Sequence, residues 1–116
     1  TTDTEILREA VKLLDLGIQI VVISMGSSGA YFLSKEGVFK AYLSASKIVT
    51  AVGAGDAMVA GISAAIKEGG NLERIARLGT AFSVSTLGFI GPHLDEKSIV
   101  EDLASHVQIE KREGIL

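Results

Sequence analysis

The chain has 116 residues, 47% of them hydrophobic and 22% charged, with a net charge of −3 and no cysteine. That length suits one domain around one core, and the mixture is that of a folded domain rather than a disordered segment. A disulfide framework, a thiolate nucleophile and a Cys-ligated zinc site are excluded. The basic residues are scattered and form no stripe for a nucleic-acid backbone.

From the N-terminus, Thr2 followed by Glu5 has capping-box spacing, and Ile6, Leu7, Ala10, Val11 and Leu14 then recur as on one helical face. Gly17 is placed to end that helix. Ile20-Val21-Val22-Ile23 is a short, wholly apolar run, which predicts a strand buried on both faces, as in a parallel sheet flanked by helices. Beyond Ser24–Gly29, strands are expected at Ala30–Ser34 and Val38–Tyr42, with Lys35-Glu36-Gly37 as the hairpin loop, and a further one at Ile48-Val49. Ala54–Glu68 reads as a helix stopped by Gly69-Gly70, and Asn71 can cap another from Leu72 to about Leu87. Pro92 falls in a glycine-containing loop, Asp95 is placed to cap Glu96–Ala104, and Val107–Ile109 is a candidate last strand. The expected fold is one α/β domain, but so few strands leave apolar surface without a partner, as in part of a larger sheet.

No apolar run reaches the roughly 18–20 residues that cross a bilayer. The opening Thr1-Thr2-Asp3-Thr4-Glu5 lacks the basic and apolar regions of a signal peptide, so a cytoplasmic location and no membrane partner are expected.

The stretch Thr50–Gly61 carries the chemistry. Gly53-Ala54-Gly55 stands where a strand and turn give way to a helix, with Asp56 directly after. Glycines let another molecule approach the main chain, and the free N–H groups and dipole of a helix's first turn favour an anion. A carboxylate beside a bound phosphoryl group can take a proton from an attacking hydroxyl. The same four residues also suit a plain turn with an acidic helix cap, and spacing alone does not choose between these readings. The stretch is neither a Walker A loop, since no Gly-Lys-Ser/Thr follows, nor a dinucleotide fingerprint, since the third glycine is missing. His93 and His106 have no partner at metal-ligand spacing, so no metal site is assigned to protein ligands.

Val52-Gly53-Ala54-Gly55-Asp56 followed by Gly61 resembles the second signature of the PfkB (ribokinase-like) carbohydrate-kinase family, D-T-x-G-A-G-D-x-F-x-x-G. Upstream, Ile23–Ala30 resembles the family's T-L-G-x-x-G nucleotide loop, in the family's order. The resemblance covers essentially the whole chain. It implies the C-terminal part of a three-layer α/β/α sandwich with a mostly parallel sheet and a β-hairpin. It implies Asp56 as catalytic base and Gly53, Ala54 and Gly55 as the anion hole for the γ-phosphoryl group. Ser24, Met25, Gly26, Ser27, Ser28 and Gly29 would be the loop along the nucleotide, with Gly55 and Asp56 also touching it. ATP and Mg²⁺ are the implied co-substrate and metal. A homodimer through a lid outside this chain, and sugar-binding residues also outside it, are implied as well.

The sequence departs from the pattern at Thr50-Ala51, where the family has Asp-Thr, and at Met58, where it has Phe. The family's aspartate helps hold a monovalent cation, so little potassium dependence is implied. With that change the stretch is similar to the family's phosphosugar branch. The implied acceptor is fructose 1-phosphate, with tagatose 6-phosphate, a hydroxymethylpyrimidine or pyridoxal, or a non-catalytic nucleotide-binding role as alternatives.

Overall fold

The structure, a computed structural model, describes residues 2–25, 28–43, 54–87 and 97–115. The elements in chain order are α1 (Asp3–Asp15), β1 (Val21–Ser24), β2 (Ala30–Ser34), β3 (Gly37–Tyr42), α2 (Ala54–Lys67), α3 (Leu72–Leu87), α4 (Lys97–His106) and β4 (Gln108–Lys111). The expected strand at Ile48-Val49, the Pro92 loop and the Asp95 cap lie outside the described residues. The last helix extends two residues past Ala104, and the last strand lies one to two residues later than expected.

Local signals set the helix ends. The Thr2 hydroxyl accepts the Glu5 N–H at 3.2 Å. At the other end of α1, Gly17 (φ +106°) donates to the Leu14 carbonyl and Ile18 to the Leu13 carbonyl, the paired bonds of a Schellman cap. The same pair recurs after α2, with Gly69 (φ +83°) donating to Ile66 and Gly70 to Ala65. Asn71 then accepts the Arg74 N–H at 2.9 Å and opens α3. From the β2–β3 turn, the Glu36 carboxylate accepts the Leu72 N–H at 3.4 Å, so the hairpin tip also meets the start of α3.

The four strands form one sheet in the order β1-β2-β3-β4, and every pair is antiparallel. The expectation of a mostly parallel sheet is therefore wrong for these strands. The reason lies in the connections: a parallel crossover needs a dozen or more residues, whereas five residues join β1 to β2 and two join β2 to β3. Nor is β1 buried on both faces as expected: Val21, Val22 and Ile23 are half-buried and Ser24 is exposed.

The layers are as expected. Leu7, Ala10 and Leu14 of α1 pack on Tyr31, Leu33 and Val38 from one face of the sheet. On the other face Ala30, Phe32 and Ala41 meet Leu72, Ile75, Ala76 and Leu78 of α3 and Val100 and Ala104 of α4. β2, in the middle, is buried at all five positions. The buried Tyr31 hydroxyl donates to the Asp3 carboxylate at 2.6 Å, tying the first turn of α1 to the sheet. Burial first, then that hydrogen bond, push the Tyr31 phenol above its ordinary pKa.

Two arginines on α3 gather the remaining helices. Arg74 bonds Glu68, just past α2, at 3.0 Å and Glu101 of α4 at 2.6 Å. Arg77 donates to the carbonyls of Ala104 and Val107, at 3.1 and 2.8 Å, where α4 ends. No described helix is long and apolar enough to cross a membrane.

α2 and α3 cross with little between them. A Cβ at Gly61 would stand 2.5 Å from the Leu78 carbonyl oxygen and 3.0 Å from the Gly79 Cα, and backbone atoms cannot swing aside. Gly61→Ala should therefore push the two helices apart and cost about 1–3 kcal/mol. Denaturant unfolding of the variant beside the parent chain measures this, and an unchanged midpoint would contradict the close crossing.

Candidate functional site

α2 begins at Ala54, so the N–H groups of Ala54, Gly55 and Asp56 belong to a first turn that has no intrahelical acceptors for them. Gly55 and Asp56 are exposed, and Ala57 behind them is buried. Beyond its chain neighbours and its own helix backbone, no described atom lies within 4 Å of where a Gly55 Cβ would stand. Among the described residues the Asp56 carboxylate has no hydrogen-bond or ion-pair partner. It thus stands in water beside partly positive N–H groups. A free carboxylate next to an anion-attracting helix end can accept a proton from a hydroxyl brought there with a phosphoryl group. Gly53, and Thr50–Val52 before it, lie outside the described residues.

The second predicted segment starts at Ser24, the exposed last residue of β1. The Met25 N–H donates to the Gly29 carbonyl at 2.8 Å and the Ser28 N–H to the Met25 carbonyl at 3.2 Å, which closes the segment into a tight loop. Met25 packs against the α1 cluster, so its side chain has a structural role. Ser28 is exposed. Gly26 and Ser27 lie outside the described residues. Gly29 has φ +98°, and a Cβ there would overlap the Ala41 carbonyl oxygen of β3. Only glycine lets the loop re-enter the sheet at this point.

One apolar cluster underlies both segments. Ala30, next to Gly29, belongs to it, and Met58, two residues beyond Asp56, packs against it with Leu43 and Ile62. The Met at the position where the signature has Phe is thus a packing residue, as its chemistry suggests.

A groove of about 450 Å³ lined by Ser28, Lys40, Tyr42, Gln108, Ile109 and Glu110 has no signal in the sequence. It runs from the Gly29 loop along the β3–β4 pair, and it exists only because β4 returns to β3 across the whole helical segment. The Lys40 ammonium also lies 5.8 Å from the Tyr31 ring centre, opposite Glu110 in the ladder. His106 is exposed at the end of α4, with Nδ1 2.8 Å from the Asp102 carbonyl oxygen, and serves that helix end.

The pfkB family of carbohydrate kinases matches residues 1–95 of the chain. A 1-phosphofructokinase from Rhodobacter capsulatus is 42% identical over 109 residues, which is 93% of this chain and 34% of that protein. A 1-phosphofructokinase from Xanthomonas campestris is 47% identical over 76 residues, 65% of this chain and 24% of that one. The crystal structure of Escherichia coli phosphofructokinase-2 with substrates and products superposes with a TM-score of 0.79 at 27% identity. That match covers 90% of this chain and 34% of the E. coli chain. The chain thus spans about a third of the length of the proteins it resembles over most of its own length.

Gly29→Ala forces a side chain into positive φ and onto the Ala41 carbonyl. It should cost at least roughly 1–3 kcal/mol from the backbone alone. Thermal unfolding by circular dichroism measures this, and a variant as stable as the parent would mean that the loop does not close on β3 as described.

Proposed function

The chain belongs to the pfkB family of carbohydrate kinases, and from that premise we propose that it is the C-terminal, nucleotide-binding and catalytic portion of a 1-phosphofructokinase. The reaction would transfer the γ-phosphoryl group of ATP to the C6 hydroxyl of fructose 1-phosphate, giving fructose 1,6-bisphosphate and ADP. The observation that carries this reading is Asp56, a carboxylate without a partner among the described residues, on the exposed first turn of α2 beside Gly55.

In the proposed mechanism the Asp56 carboxylate takes the proton of the acceptor hydroxyl as its oxygen attacks the γ-phosphorus. The bond from that phosphorus to the β–γ bridging oxygen breaks, and ADP keeps the electron pair. Gly53, Ala54 and Gly55 supply N–H donors toward the equatorial phosphoryl oxygens, where charge develops. Ser24 through Gly29 form the loop along the nucleotide, held in shape by the Met25–Gly29 bond. Among the described residues no three His, Cys, Asp or Glu side chains cluster as a metal cage would require. Mg²⁺ would be held mainly through ATP, since this ion usually keeps waters and binds phosphates. Its chemistry there would be to offset charge on the β- and γ-phosphates.

The base is tested in a polypeptide that joins this chain to the other two thirds of such a kinase. Asp56→Asn should lower kcat by about 10²–10⁴-fold and leave ATP affinity within a few-fold. A near-normal kcat would remove Asp56 from this role. Support for the acceptor comes from the names of the relatives and from Thr50 in the place of the signature's aspartate. With the same polypeptide, ADP release is measured with ribose, adenosine, fructose, fructose 1-phosphate, tagatose 6-phosphate and hydroxymethylpyrimidine, in sodium or in potassium. Fructose 1-phosphate should be preferred, with little effect of potassium. Preference for an unphosphorylated acceptor would overturn the branch and keep the kinase; preference for tagatose 6-phosphate would change the acceptor alone.

A further inference from the structure

Side chains alternate between the two faces of a strand. In the β3–β4 ladder this sends Lys40, Tyr42, Gln108 and Glu110 to the face of Tyr31 and Val38, which pack under α1. Phe39, Ala41 and Ile109 turn to the α3 side instead. The groove of about 450 Å³ beside Ser28 therefore opens on the α1 face. Met58 and Ile62 of α2 pack on the opposite face, so the sheet stands between the groove and the helix that carries Asp56.

Five of the six residues that line the groove are polar or charged. Among the described residues the Ser28 hydroxyl, the Tyr42 hydroxyl and the Gln108 amide make no hydrogen bond, and the Lys40 ammonium has no carboxylate within ion-pair distance. Lys40 is half-buried, with its ammonium 5.8 Å from the Tyr31 ring centre, which limits its sweep. Its ladder neighbour Glu110 does not neutralise it, because one Glu110 oxygen is 3.0 Å from the Arg112 guanidinium. The result is an unpaired cation beside three unused hydrogen-bonding groups and one spare carboxylate oxygen. The volume lies within the range of about 300–1,000 Å³ that small-molecule sites occupy.

We propose that this groove is a second small-molecule site, which takes a phosphate ester bearing free hydroxyls. Lys40 meets the phosphate as a point charge, and Ser28, Tyr42, Gln108 and the second oxygen of Glu110 pair with the hydroxyls. Sugar phosphates and nucleoside monophosphates share that chemistry. The occupant is not a reactant, since Asp56 belongs to the other side of the sheet. Ser28 is what the groove shares with the loop assigned to the nucleotide, and binding in the groove does not depend on that assignment.

The test uses the polypeptide that joins this chain to the other two thirds of such a kinase, isotope-labelled for NMR. The backbone amides of Ser28, Lys40, Tyr42 and Gln108 are followed during titration with inorganic phosphate, fructose 1-phosphate and adenosine monophosphate. At least one of the two esters should shift these amides saturably and bind more tightly than inorganic phosphate, and the tighter ester identifies the source. Lys40→Gln should weaken that binding about tenfold, the worth of one charge-assisted hydrogen bond, with circular dichroism and kcat unchanged. Gln108→Ala, on the exposed outer strand, should weaken it a few-fold, and it decides alone if Lys40→Gln disturbs the fold. Amides that stay still with all three compounds overturn the proposal. So do shifts indifferent to both substitutions, or inorganic phosphate binding as tightly as the esters. The readout is local to β3 and β4, so failure of the kinase reading, seen in ADP release, stays distinct from failure of this one.

Discussion

The crossing of α2 over α3 at Gly61 is the contact on which the placement of the site depends. Among the described residues α2 reaches the sheet's core mainly through α3, with Met58 and Ile62 completing the cluster beneath. Gly79 of α3 is confined less severely and by side chains, since a Cβ there would stand 3.0 Å from Ile62 and 3.5 Å from Met58 and Phe32. Asp56 is thus positioned by a chain of contacts running from Phe32 of β2 through α3 to the first turn of α2. An enlargement anywhere along that chain would move the carboxylate without touching it.

The charged contacts add to this placement in unequal ways. Arg74 and Arg77 are partly exposed, and ion pairs of that kind are individually worth little, about 0–1 kcal/mol. Their geometry matters more than their charge. Arg77 supplies donors to carbonyls that the end of α4 leaves without intrahelical partners, and Arg74 joins the ends of two helices to a third. These bonds hold α4 in register, and with it β4 beside β3.

The parts of the fold legible in the sequence were those set by local chemistry. Thr2 with Glu5, Gly17, Gly69 and Asn71 each acts through its own backbone neighbourhood, and each marks the helix end it was expected to mark. Strand direction was not legible from Ile20–Ile23, because apolarity reports burial and the short connections to β2 and β3 decide orientation. The groove beside Ser28 was hidden for a different reason, since its walls come from residues far apart in the chain. At the site, the motif pointed to Asp56 at a helix start, and the structure has it in the first turn of α2, exposed. It could not reveal that Met25 is spent on packing or that Gly29 answers to Ala41.

The long return of β4 to β3 bears on how the chain acquires its shape. β1, β2 and β3 pair with sequence neighbours, and α2 and α3 form a local hairpin, so these units can assemble quickly. The β3–β4 ladder must wait until α2, α3 and α4 have been made, and its loop-closure entropy falls due last. Until then the edge of β3 away from β2 has no ladder partner among the described residues. A nascent chain emerging from the ribosome would therefore pass through a stage with that edge of β3 unsatisfied, and the last residues to be made are the ones that cover it.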